Sequence, residues 1–459
     1  MPRPTPMLRT SGIAARAVLF VALAAALAGA ACRQRPAAPP PPRRVVLLSI
    51  DTLVPAHLGC YGYDRATSPR LDAVARTGVV FERATSPAPW TLPAHASMLT
   101  GLYPSSHGLR DHDVTLAANV ATLADVLAAH GFATAAVVNS HNLSPLFGLQ
   151  RGFQQYEYVK EEVGRREPTR AITDRAVEWL GQHRDDRFFL FVHTYDVHSD
   201  YRSLPEYERR FVRPYAGPAD GTTAQLLRAR TGKLTLDAAD IEHVQDLYDA
   251  GIRQYDDELG RLLDALGDDP GTMLIITSDH GEEFGEHGGF LHGRTQFEEV
   301  VRIPLIVRGG GAPAGLRVAT TASLIDVMPT ILAAVGVPAP GALDGVDLAP
   351  LWRGDADAIG ERTLFHEADH NNAAPDVTRA VRHDREKLHV DRLTGSAMLF
   401  DLAADPGERR DVAAAEPARV GTLRAALEAF AKTHTATGGG PVTLTPEQLE
   451  RLKSLGYVR

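Results

Sequence analysis

Three short segments carry residue types that can do chemistry together. The first is Trp90-Thr91-Leu92-Pro93-Ala94-His95-Ala96-Ser97-Met98-Leu99-Thr100-Gly101. Pro93 suits a first helical turn and Gly101 a helix end, which puts Thr91 at a helix N-terminus, where backbone N–H groups favour developing negative charge. A hydroxyl there reads either as a plain N-cap or as a nucleophile. The second segment is Asp51, directly after an apolar run at 45–50, and the third is Asp279-His280-Gly281, after 272–278. An Asp behind a strand is often only a cap or turn residue. A carboxylate and an imidazole side by side, however, suit zinc or manganese. Asp51, Asp279, His280 and the Thr91 oxygen form the expected ligand set for a divalent metal. Calcium, which prefers more oxygens, is the third candidate. Such a metal would also make a threonine hydroxyl reactive near neutral pH.

Three histidines complete the catalytic candidates. His95 either orients Thr91 or caps its own helix. His198 and His292 are the next candidates, or are structural. Asp196, His198 and His292 could alternatively hold a second metal. Asp256-Asp257 reads as a solvated face of a long helix.

The elements that must position these residues alternate along the chain. Apolar runs at 45–50, 133–138, 188–192, 273–276 and 303–307 read as parallel strands buried on both faces. Helical patterns at 68–78, 121–130, 169–183, 240–266 and 326–335 lie between them, with caps and Gly stops at several ends. The expectation is a doubly wound α/β fold, a mostly parallel sheet flanked by helices, with ligands at the carboxyl ends of the strands. After about residue 355 the texture changes. Antiparallel strands at 379–390 and 397–402 and a helix at 417–432 predict a small α+β subdomain. The Thr/Gly-rich 433–443 is expected to be loose. The domain plan is a signal peptide at 1–31, a tether at 32–43, a catalytic domain at 44–355, the small subdomain at 356–432 and a tail at 433–459. Loops at 160–169 and 199–237 are expected to set specificity.

The N-terminus reads as an export signal. Arg3, Arg9 and Arg16 precede an apolar run at 17–27 that is too short to span a bilayer comfortably. Small residues then lead to Cys32, which resembles a lipoprotein cleavage site, although plain cleavage after Ala31 also fits. A Pro-rich stretch follows as a stiff tether. The expected location is periplasmic or cell-envelope, with membrane contact only through a lipid anchor. The chain has only two cysteines, so lipidation of Cys32 leaves Cys60 alone and no internal disulfide. A net charge of −9, with no basic block after the N-terminus, gives no sign of a nucleic-acid surface.

The segment from Trp90 through Leu99-Thr100-Gly101-Leu102-Tyr103-Pro104 resembles the sulfatase-family signature. Ser49-Ile50-Asp51-Thr52-Leu53 and Thr277-Ser278-Asp279-His280-Gly281 are similar to that family's two metal-binding segments. Further collinear likenesses include His193-Thr194-Tyr195-Asp196-Val197-His198 and Leu399-Phe400-Asp401-Leu402. The resemblance runs from about 44 to 415 and implies an alkaline-phosphatase-like fold, a mixed, mostly parallel sheet flanked by helices, and a metal-dependent ester hydrolase of the alkaline phosphatase superfamily. It also implies that His198 and His292 contact the transferring group or protonate the leaving oxygen, as residues in these regions do in sulfatases. Three departures stand out. Sulfatases place a Cys or Ser where Thr91 stands and oxidise it to formylglycine; no formylglycine is expected here. The family's Arg is His95, and the second Asp of its Asp pair is Thr52. Thr-x-Pro-x-His looks instead like the nucleophile segment of nucleotide pyrophosphatase/phosphodiesterases, which use Thr directly on phosphorus. The expected substrate is a small-molecule, glycan-linked or lipid-linked anionic ester, with phosphate mono- or diesters favoured over sulfates. An envelope phosphotransferase of the phosphoethanolamine type and a non-catalytic binding protein are the alternatives.

Overall fold

A computed structural model describes residues 40–160, 168–368 and 378–454, together with residues 1, 2 and 4. The signal run, Cys32 and most of the Pro-rich tether therefore lie outside the described residues, as does most of the 160–169 loop. Residues 41–459 form one compact unit. Among the described residues no helix is long and apolar enough to cross a membrane.

The main sheet contains β1 (Arg44–Ile50), β2 (Val79–Thr85), β3 (Ala133–Val138), β4 (Gln155–Tyr158), β5 (Phe188–Thr194), β6 (Thr272–Thr277), β9 (Arg302–Arg308), β10 (Leu316–Val318) and β11 (Ala322–Ser323). A short hairpin, β7 (Glu283–Phe284) with β8 (Phe290–Leu291), lies between β6 and β9. The principal helices are α1 (Pro69–Arg76), α2 (Thr91–Thr100), α3 (Leu123–Ala129), α4 (Pro168–Gln182), α5 (Thr223–Arg230), α6 (Ala238–Leu266) and α7 (Val327–Val335). Strand order is β10-β2-β9-β6-β1-β5-β3-β4, with β11 also on β2.

Strand β1 shows why the apolar runs are unbroken. Val45 and Leu47 enter the core shared with α2, α3 and α7, whereas Val46, Leu48 and Ile50 enter the core shared with α1, α4 and α6. A strand covered on both faces needs apolar side chains at every position. β1 pairs in parallel with β5 and β6, so the carboxyl ends of all three open at one edge.

One strand departs from the parallel expectation. The run at 303–307 lies in β9, which is antiparallel to β2 and β6. Between β6 and β9 the chain makes no helical crossover to the far edge. It stays at the carboxyl edge through the β7–β8 hairpin and re-enters the sheet running backwards, which keeps 278–301 beside the strand ends.

The C-terminal sheet, β12 (Thr363–Ala368), β13 (Thr378–His383), β14 (Glu386–Asp391) and β15 (Ala397–Asp401), is fully antiparallel and carries α8 (Pro417–Thr433). The stretch at 379–390 is a hairpin that turns at Asp384, which takes a left-handed φ of 50°. Two other expectations are corrected. Residues 433–443 are held down, because Ala436 N–H donates to the Ser105 carbonyl at 2.8 Å and Val442 N–H to that of Asp113 at 2.7 Å. They lead into α9 (Pro446–Ser454), whose Leu452 is buried in the main core. Asp256 does not face solvent: its carboxylate accepts from Arg70 N–H at 2.8 Å and Leu71 N–H at 2.9 Å. Ser68, at the N-cap of α1, makes no side-chain capping bond, so a carboxylate from α6 supplies the cap.

Candidate active site

The strand edge brings together Asp51 after β1, His193 near the end of β5, Asp279 and His280 after β6, and Thr91 at the start of α2; all five are buried. Helix α2 begins at Thr91, with Trp90 as an extended N-cap whose side chain makes no capping bond. Thr91 Oγ1 lies 3.4 Å from Asp51 Oδ2 and 3.3 Å from His280 Nε2. His280 Nε2 is 3.3 Å from Asp279 Oδ2 and 3.6 Å from Asp51 Oδ1. Ligand atoms of Asp51, Asp279 and His280 lie within 4.8 Å of one another, as do those of His95, His193 and Asp279.

Local bonds explain this convergence. Ser278 Oγ accepts from Leu53 N–H at 3.0 Å and donates to the Ile50 carbonyl at 2.7 Å, tying the β6 exit to the β1 exit. The Tyr248 hydroxyl of α6 donates to the Thr52 carbonyl at 2.6 Å and accepts from Val54 N–H at 2.9 Å. Thr52 takes a left-handed φ of 57° within this clamp and turns its hydroxyl onto the Asp51 carbonyl at 2.8 Å. Gly281 allows the chain to press against its neighbour, since a Cβ there would meet the Glu299 carbonyl oxygen at 2.2 Å.

Charges inside this dry site push one another strongly. Burial alone would depress the His280 imidazole, but Asp279 and Asp51 raise it above its ordinary value. Burial works against ionised Asp279, yet His280, His95 and His193 hold its carboxyl below the usual range. Burial takes His95 down to about 3 and His193 to about 4, so both are neutral at pH 7.

His95 Nδ1 donates to the Thr91 carbonyl at 2.8 Å within the helix. Its Nε2 accepts from Ser49 Oγ at 3.0 Å, and Nδ1 also lies 3.5 Å from Asp279 Oδ2. The imidazole thereby ties α2 to β1.

His198 and His292 sit beside the cluster, their rings 4.9 Å apart, with His292 4.3 Å from His280. His292 Nδ1 bonds Glu282 Oε1 at 2.9 Å, and Leu291 before it takes a left-handed φ of 68°. Burial raises the Glu282 carboxyl to about 7. His198 Nε2 bonds the Tyr195 hydroxyl at 2.9 Å, and its Nδ1 donates to the Ser199 carbonyl at 2.6 Å. Asp196 accepts from Thr169 N–H at 2.9 Å at the start of α4 and from Gln254 at 3.4 Å. Asp196, His198 and His292 do not form a ligand cluster among the described residues.

Two contributors escaped the sequence reading. His193 Nε2 lies 3.3 Å from Asp51 Oδ2, and neither ring nitrogen makes a hydrogen bond. In the sequence it directly follows the apolar run at 188–192 and opens the family-like segment at 193–198; in the sheet it pairs with Ser49. Glu282 carried no signal beyond its place two residues after His280.

The family model for sulfatases matches residues 43–337, and the C-terminal model of N-sulphoglucosamine sulphohydrolase matches 285–430. The chain is 25% identical over 400 residues to an ulvan-active sulfatase of Formosa agariphila, covering 80% of this chain and 76% of that protein. It is also 25% identical over 452 residues to PehA, a multifunctional alkaline phosphatase superfamily protein of Trinickia caryophylli, covering 78% of this chain and 87% of the other. A phosphonate monoester hydrolase of Agrobacterium radiobacter has a similar fold, with a TM-score of 0.70 and 22% identity over 88% of this chain and all of that one, 100%. The chain belongs to the sulfatase family and is an ester hydrolase of the alkaline phosphatase superfamily.

Proposed function

We propose that this protein is a metal-dependent hydrolase in which Thr91 attacks the ester directly, with phosphate mono- or diesters preferred to sulfate esters. The observation that supports this most is the placement of Thr91 Oγ1, buried at the start of α2 and within 3.4 Å of both Asp51 and His280. The residues fit a divalent cation. Asp279 Oδ2 is buried and accepts no hydrogen bond, which is a high-energy state for a carboxylate oxygen unless a cation faces it. Asp51, Asp279, His280 and Thr91 Oγ1 would hold it, and two carboxylates with an imidazole favour zinc or manganese. When bound, such a cation lowers the pKa of a coordinated hydroxyl and offsets charge on the ester oxygens.

The chain's own groups do the rest. Thr91 Oγ1 forms the bond to phosphorus while the bond to the leaving oxygen breaks, and its proton passes to the Asp51 carboxylate it faces at 3.4 Å. His292, held by Glu282 through Nδ1, delivers its own proton to the leaving oxygen. His198, packed against His292 and bonded to Tyr195, fixes the ring. Water then attacks phosphorus as the bond to Thr91 Oγ1 breaks; one water proton goes to His292, and Asp51 returns its proton to Thr91. Direct attack also follows from the side chain itself. Oxidation of Thr at its β-carbon gives a ketone, so the aldehyde hydrate that expels sulfate by elimination does not form.

Sulfate-ester cleavage is the second reading, favoured by the family match over 43–337. A panel of aryl phosphate monoesters, phosphate diesters and sulfate esters separates the two. Phosphate esters should have the higher kcat/KM, a chelator should abolish turnover, and added zinc or manganese should restore it. Faster turnover of sulfate esters, or activity indifferent to the chelator, overturns the proposal.

A further inference from the structure

His193 is fully buried near the end of β5, and neither of its ring nitrogens makes a hydrogen bond. Buried imidazole nitrogens without partners are unfavourable unless something else faces them. Packing and register fix the ring. His95 meets it edge to face, with 4.9 Å between ring centroids, and the parallel pairing of β5 with β1 sets it beside Ser49, two residues before Asp51.

The ring faces carboxylates. Nε2 lies 3.3 Å from Asp51 Oδ2 without forming a hydrogen bond to it, and a ring nitrogen lies within 4.8 Å of a carboxylate oxygen of Asp279. Five side-chain atoms follow one another in nearly equal steps. His193 Nε2 to Asp51 Oδ2 is 3.3 Å, Asp51 Oδ2 to Thr91 Oγ1 is 3.4 Å, Thr91 Oγ1 to His280 Nε2 is 3.3 Å and His280 Nε2 to Asp279 Oδ2 is 3.3 Å. Atoms bound to one zinc at about 2.0–2.2 Å and at tetrahedral angles stand about 3.3–3.6 Å apart, and the steps have that length. Two neighbours are committed elsewhere. The Thr52 hydroxyl donates to the Asp51 carbonyl at 2.8 Å. His95 uses Nδ1 on the Thr91 carbonyl and Nε2 on Ser49.

We infer that His193 Nε2 is a ligand of the divalent cation, together with Asp51, Asp279, His280 and Thr91 Oγ1. The inference rests on the metal-dependent reading above and adds a residue to its cation site. Two imidazoles beside two carboxylates make a set richer in nitrogen, which favours zinc over manganese and disfavours calcium and magnesium, cations that take oxygen ligands.

X-ray absorption at the zinc edge counts imidazoles around the metal. The metal-stripped full chain and its His193→Gln variant are each loaded with one equivalent of zinc, and circular dichroism of the metal-free chains compares their folds. Wild type should show two imidazoles, His193 and His280, and the variant one. Competition with a chelator should find zinc held at least about tenfold more weakly by the variant, since even a residue behind the ligands costs that much. One imidazole in wild type overturns the assignment whatever the variant does. Two imidazoles retained in His193→Gln, or an unchanged zinc affinity, also overturns it. Two imidazoles in a chain that turns over no phosphate ester would count against the hydrolase reading and leave the ligand standing; turnover with one imidazole would do the reverse.

Discussion

At the scale of single residues, the site depends on a hydroxyl whose surroundings are all buried. Thr91 Oγ1 faces a carboxylate and an imidazole and begins a helix, so replacing it removes the proposed attacking oxygen and one expected cation ligand together. Thr91→Ala should lose on the order of 10³-fold or more in kcat on the preferred ester, because covalent catalysis and metal binding fail at once. Thr91→Ser should keep part of the rate, and mass spectrometry should find Thr91 unmodified. Full activity in Thr91→Ala would rule the mechanism out. Asp51, Thr91, Asp279 and His280 were legible because each stands at a strand exit or helix start, where local sequence announces a polar residue out of pattern. His193 was not. It follows the apolar run at 188–192, and its place beside Asp51 comes from pairing with Ser49 across the sheet, a register that no local pattern encodes.

At the scale of elements, five of the nine main-sheet strands were readable from their apolar runs, whereas β2, β4, β10 and β11 were not, and the direction of β9 was not. The run in β9 looks like its parallel neighbours because burial on both faces demands the same residues whichever way the strand runs. Only the route of the connecting chain along the carboxyl edge decides it. The same limit applies to α6. Asp256 reads as a surface acid beside Asp257, yet the fold turns it to the α1 N-terminus, where Ser68 leaves the backbone donors uncapped. Asp257 does remain near the surface, paired with Arg253 at 2.7 Å. Asp256→Ala should therefore destabilise the fold by about 1–2 kcal/mol, the typical worth of a lost helix cap. Asp257→Ala should change stability far less, as expected for a partly exposed ion pair. Urea denaturation compares the two, and equal midpoints for Asp256→Ala and wild type would show that the cap contributes nothing.

At the scale of the whole molecule, the C-terminal sheet is joined to the main sheet's domain by buried charge as well as by an apolar cluster of Tyr103, Ile325, Phe365 and Phe430. Lys387, fully buried, lies 2.8 Å from Glu298 and 3.3 Å from Glu408, and His389 bonds Glu408 at 2.7 Å. His287, from the β7–β8 turn, bridges Glu299 and the Glu408 carbonyl at this junction. The tail was misjudged for a related reason: its Thr/Gly-rich stretch is anchored by backbone hydrogen bonds, which composition does not reveal. The junction has a pH dependence whose sign can be derived. Burial opposes the charged His287 ring, but Glu299 and Glu408 raise it to about 9, against an ordinary 6.5. Its contribution is complete below pH 6.5 and disappears as pH rises through 9. Glu283, buried in the same region, is raised from 4.5 to about 8, so the folded chain holds a proton that the unfolded chain releases above pH 4.5. That term also lowers stability as pH climbs toward 8. The two slopes share a sign between pH 6.5 and 8, so Tm measured by scanning calorimetry should fall across that interval. His287→Gln should make the fall shallower, because it removes one titrating group and retains an amide that can reach Glu299. A Tm that stayed level or rose from pH 6.5 to 8 would show that these junction groups do not govern the stability of the fold.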